Sequence, residues 1–120
     1  MGVSTKVVSV RMPEILAREV RSSAEERHTS VTAFIEWVLT LLLQSGIGVS
    51  ALPDVREPSD SKLDFRLSKE MLARVRPICK QLRVPLSVYV RTILYAGYTG
   101  KLVIKQVGSS YTLEANHDQK

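Results

Sequence analysis

Arg11 and Arg66 stand 55 positions apart, each closing a short segment in which apolar and polar residues alternate. A guanidinium is a planar fork of donors, and it matches a pair of acceptors such as O6 and N7 of guanine. The polar side of the first segment also carries Val7 and Ser9, and that of the second carries Lys62 and Asp64. Lys62 can reach a guanine or a phosphate, Ser9 can donate or accept, and Val7 can meet a thymine methyl. Asp64 has two readings: it accepts from cytosine N4, or it holds Arg11 or Lys62 in place. The bland alternative for Arg11 and Arg66 is a surface arginine paired to a nearby acid, and for Val7 a spare surface valine. A second set of residues suits phosphate. Ser30-Val31-Thr32 and Pro85-Leu86-Ser87 open helical patterns, where free N–H groups and a partial positive charge face an anion. Arg83 lies beside the second opening. Ordinary capping explains both openings equally well. There is no Ser/His/Asp order, glycine-rich phosphate loop or paired-carboxylate motif, so the chain reads as a non-enzyme. The lone Cys79 and the separated His28 and His117 suggest no metal site, and no cofactor is expected.

The elements that must position these residues are legible from periodicity. Thr5 to Met12 alternates, with Val8, Val10 and Met12 on one side, which is a half-buried strand. Pro13 ends it and suits a first helical turn. Leu16, Val20 and Ala24 then follow helical spacing up to a break at His28-Thr29-Ser30. Ser30 is a good N-cap for a second helix carrying Val31, Phe34, Ile35, Val38, Leu39 and Leu42, with Gly46 as its stop. After a Pro-, Gly- and Ser-rich stretch the order repeats. Lys62 to Leu67 alternates and Ser68 caps a helix facing inward through Met71, Val75 and Cys79. Pro77 lies inside that helix, where proline costs about 3 kcal/mol unless compensated. Leu86, Tyr89, Val90, Ile93 and Leu94 form the last helical face. At the offset of 55, Arg11 matches Arg66, Thr32 matches Ser87, Phe34 matches Tyr89 and Leu39 matches Leu94. Leu102–Val107 and Tyr111–Glu114 read as a hairpin around Gly108-Ser109-Ser110. Trp37 is expected to pack in the core or on that hairpin. The organisation expected is a first unit over 1–46, a linker over 47–61, a second unit over 62–100, and a hairpin and tail over 101–120, in one compact domain.

Charge adds a partner class. The chain carries a formal net charge of +5. Residues 61–100 hold eight Lys or Arg against two Asp or Glu, while residues 1–43 hold five of each. The second half is therefore the basic half, and a polyanion is the natural partner. No stretch is apolar enough to span a bilayer and no secretory signal opens the chain, so a cytoplasmic protein without a membrane partner is expected.

A lone strand leaves its ladder groups unpaired, so the two strands are expected to pair antiparallel, with Ser9 near Asp64 and Val8 near Phe65. The open face of such a ribbon carries Val7, Ser9, Arg11, Lys62, Asp64 and Arg66, and a two-stranded ribbon fits the DNA major groove. Arg11-Met12-Pro13-Glu14 after a strand, with Thr29-Ser30-Val31-Thr32 opening the second helix, resembles the ribbon-helix-helix family of Arc- and MetJ-type repressors. Arg66-Leu67-Ser68-Lys69 with Pro85-Leu86-Ser87 resembles it again. The resemblance covers about three quarters of the chain. It implies a mainly α fold with one two-stranded antiparallel ribbon, a tandem single-chain ribbon-helix-helix pseudo-dimer, plus a C-terminal β-hairpin. The family usually builds its fold from two identical chains; here one chain supplies both units, so a monomer and an asymmetric DNA site are expected. The doubled form is similar to single-chain members that assist T-DNA processing and transfer. It implies a sequence-preferring double-stranded DNA-binding protein of a bacterial cytoplasm, working beside other DNA-processing proteins. The alternative is a repressor or an antitoxin-type interaction module.

Overall fold

The computed structural model describes residues 5–49, 52–55 and 57–116. His117 and most of the terminal segment expected to fray lie outside them. In chain order the elements are β1 (Thr5–Met12), α1 (Glu14–Glu26), α2 (Val31–Ser45), β2 (Ser61–Ser68), α3 (Lys69–Leu82), α4 (Leu86–Tyr98), β3 (Leu102–Val107) and β4 (Ser110–Ala115). β1 pairs antiparallel with β2, placing Ser9 opposite Asp64 and Val8 opposite Phe65. Parity dictates this register: a slip of one residue would turn Val8, Val10 and Met12 into water. On the inner side Val10, Met12, Leu63 and Leu67 are at most 2% exposed. They rest on Leu16 and Ala17 of α1, Ile35 and Leu39 of α2, Val75 of α3, and Val90 and Ile93 of α4, all in one core.

The local signals act as their chemistry requires. Ser30 Oγ accepts from the Ala33 N–H at 3.0 Å, and Ser68 Oγ accepts from the Met71 N–H at 3.0 Å. Gly46 ends α2 in the left-handed region at φ 73°, where a side chain would be strained. Pro13 has no side chain to cap α1. Asp60, 46 residues on, accepts from the Glu14 N–H at 3.1 Å and supplies the missing cap. α3 continues through Pro77.

The fold class expected from the sequence needs correction. The described residues form four helices and two separate two-stranded antiparallel sheets, β1–β2 and β3–β4, with roughly half the residues helical and a quarter in strands. This is a mixed α and β arrangement, not a mainly α tandem ribbon-helix-helix with one ribbon and an appended hairpin. β3–β4 buries Leu102 and Leu113, 3% and 4% exposed, in the common core. It packs on α2 and α4. Tyr111 meets Trp37 edge-on at 5.5 Å, and the Arg27 guanidinium lies 4.7 Å from the Trp37 ring centre. The two sheets stay apart because the ribbon's outer edges are engaged. The Arg66 N–H donates to Thr32 Oγ1 at 3.0 Å and the Ser68 N–H to Glu36 Oε2 at 3.0 Å. On the β1 side, the Arg11 carbonyl accepts from Arg91 at 3.1 Å. A third strand would have to displace these contacts.

Tyr89 is 2% exposed, and burial pushes its hydroxyl up to about 12 from an ordinary 10. An unfolded chain ionises this group first, so its contribution to stability is complete below pH 10 and is lost as pH rises toward 12. Denaturant titrations from pH 9 to 12 are expected to show falling stability, and Tyr89→Phe to flatten that fall. Equal pH profiles for the two proteins would show that Tyr89 is not the source.

Candidate nucleic-acid interface

Period two sends every second residue of β1 and β2 away from the core, which makes one exposed face from residues distant in sequence. Val7 lies opposite Arg66, Ser9 opposite Asp64 and Arg11 opposite Lys62. All six are exposed, so the structure brings together the whole ribbon set. Ser9 Oγ donates to Asp64 Oδ1 at 2.6 Å across the centre of the ladder. Asp64 thus holds Ser9; neither Arg11 nor Lys62 bonds to it among the described residues. Arg66 Nη1 donates to Thr5 Oγ1 at 3.1 Å, which leaves most of its fork unspent. The side chains of Arg11 and Lys62 make no hydrogen bond or ion pair among the described residues. The face therefore carries three cations and one carboxylate, and the carboxylate is already bonded.

The helix-start residues fare differently. Ser30 and Thr32 spend acceptor capacity inside the fold, on the N–H groups of Ala33 and Arg66. Each hydroxyl keeps a proton to donate. Val31, Leu86 and Ser87 are half-buried, and Ser87 takes no side-chain partner among the described residues. Arg83 is exposed at the end of α3 in the left-handed region at φ 62°. The helices that Ser30, Val31, Thr32, Leu86 and Ser87 open pack against the ribbon, α2 on β2 and α4 on β1.

Several residues that fix the ribbon were not singled out in the sequence. Glu36 accepts from both the Ser68 N–H and the Ser68 hydroxyl, the latter at 2.7 Å. At the offset of 55 its counterpart is Arg91. The charge reverses because the counterpart of Ser68 is Pro13, which has no N–H to offer a carboxylate. Arg91 instead donates to the Arg11 carbonyl and grips Asp54 through two bonds of 3.1 and 2.9 Å. That hydrogen bonding holds the Asp54 carboxyl below its ordinary 3.8, against a smaller opposing effect of burial. The segment joining α2 to β2 is thereby tied to the ribbon. The offset of 55 aligns Glu36 with Arg91 but gives no sign of what either meets, and nothing local marks Asp54.

Cys79 is buried, and burial raises its thiol, so it is an inert apolar group. Among the described residues no cluster of His, Cys, Asp or Glu could hold a metal ion, and no helix is long and apolar enough to cross a membrane. In comparisons with known proteins, no family model, curated protein or solved structure matches the chain.

Proposed function

We propose that the protein binds double-stranded DNA with a sequence preference, laying the outer face of β1–β2 in the major groove. The observation that carries this reading is the exposed array of Arg11, Lys62 and Arg66 on a two-stranded ladder, with Asp64 bonded to Ser9. The inner face and both edges of that ladder are engaged by helices, which makes it a rigid mount, and base readout depends on such rigidity. Ser30, Val31, Thr32, Arg83, Leu86 and Ser87 serve the flanking phosphates. Both strands come from one chain, so the protein acts as a monomer and needs no second copy to complete the face. A part in T-DNA or conjugative DNA processing in a bacterial cytoplasm is proposed on the family resemblance alone. The folded hairpin speaks against the antitoxin alternative, in which a tail orders only on its partner.

A titration of the protein on duplex DNA at several salt concentrations tests the proposal. The logarithm of affinity is expected to fall linearly with the logarithm of salt, by about 0.9 per phosphate neutralised. Absence of binding, or binding indifferent to salt, would remove DNA as the partner.

A further inference from the structure

The ribbon has two ends, and only one of them is basic on its helix side. Lys6 shares the parity of Val8, Val10 and Met12, so it turns toward the helices, yet it is exposed because it lies past the edge of the core. There it lines an open cleft with Thr5, Lys69, Leu72, Ala73 and Arg76. Lys69 and Arg76 sit seven residues apart on α3, on one stripe of the helix with Leu72 and Ala73 between them. None of these three cations forms an ion pair among the described residues, and no carboxylate lines the cleft. Thr5 joins the cleft to the reading face, because its hydroxyl holds Arg66. The opposite end differs. The counterparts of Lys69 and Arg76 at the offset of 55 are Glu14 and Arg21, and Glu14 is paired with Arg18 at 3.0 Å.

We infer that the Lys6/Lys69/Arg76 cleft seats the phosphate backbone of the bound duplex at one end of the ribbon only, and so fixes the direction in which the protein lies on its site. The inference rests on the DNA-binding reading above. Three unneutralised cations around a concave surface, continuous with Arg66, favour a chain of phosphates. At the second ribbon end the corresponding helix stripe itself carries Glu14, already paired with Arg18, and does not offer the same footing. This clamp is built from α3 and the first residues of β1, and none of the residues at the starts of α2 and α4 lines it.

The test is a Lys69→Gln/Arg76→Gln double variant, titrated on duplexes of different sequence at several salt concentrations. Both positions are exposed, so thermal unfolding is expected to match the parent. The variant should bind every duplex more weakly by a similar factor, with the salt slope reduced by about two. Phosphate-ethylation interference should disappear on one flank of the site and persist on the other. Should the double variant lose stability, Lys69→Gln alone is expected to lower the slope by about one. An unchanged slope in the variant, with the parent binding duplex normally, would overturn the clamp and leave the DNA reading standing. A parent that binds no duplex would overturn both. Capture on phosphatidylserine vesicles through these same cations, with the duplex slope unchanged, would also overturn it.

Discussion

Arg11→Ala and Arg66→Ala are each expected to relax sequence preference at a different base pair, with a loss of about 1–3 kcal/mol at the preferred site. The two residues occupy opposite ends of the ladder, opposite Lys62 and Val7 respectively, so they address different steps of a duplex. Their surroundings also differ. Both backbones are held, Arg66 by Thr32 and Arg11 by Arg91, but the Arg66 side chain is also bonded to Thr5, whereas the Arg11 side chain has Lys62 as its cross-strand neighbour. The better-held arginine loses less freedom on binding, so Arg66→Ala is expected to be the costlier change. Sequence selection from a random duplex pool, run on each variant, reads the outcome. Both side chains are exposed and turn away from the core, so stability should stay within about 0.5 kcal/mol of the parent. Two arms of an inverted repeat relaxed together by one substitution would contradict the asymmetric face. A double variant that selects the same sequences as tightly as the parent would place recognition elsewhere.

Leu113→Ala is expected to destabilise the whole protein by about 2–5 kcal/mol, as a truncation in a packed core does. The side chain is 4% exposed and shares the core with Leu102 and the ribbon's inner residues. An appended hairpin would behave otherwise: its loss would leave the midpoint of the main transition unchanged. Denaturant unfolding followed by Trp37 fluorescence and by far-ultraviolet circular dichroism distinguishes the two. Trp37 reports on the hairpin through its contact with Tyr111, and circular dichroism reports on the helices. A single coincident transition, shifted to lower denaturant, is expected. Two separated transitions in the parent would show that the hairpin folds independently of the four helices.

Short-range regularity is the part of this fold that the order of residues encodes directly. The alternation of Val8, Val10 and Met12 and of Leu63, Phe65 and Leu67 was enough to define two strands and the side each would bury. Period two then left the register little freedom, and Ser9 meets Asp64. Ser30, Ser68 and Gly46 marked helix ends because their side chains, or the lack of one, act on backbone groups a few residues away. The six residues of the outer ribbon face followed from that same parity.

The tertiary structure alone decided which polar residues would meet across long distances. Glu36 on Ser68, Arg91 on Asp54 and Arg11, and Asp60 on the start of α1 have no periodic signature. A hydrogen bond depends on distance and angle, and those were fixed only when the helices docked on the ribbon. It also decided the place of β3–β4. In the sequence that hairpin looks peripheral, because Leu102 and Leu113 alone among its residues are fully buried. Two buried leucines, with Val103, Ile104 and Ala115 only half-buried beside them, give little pattern. With both ribbon edges engaged by helices, these leucines enter the core beside α2 and α4, and the hairpin forms a second sheet.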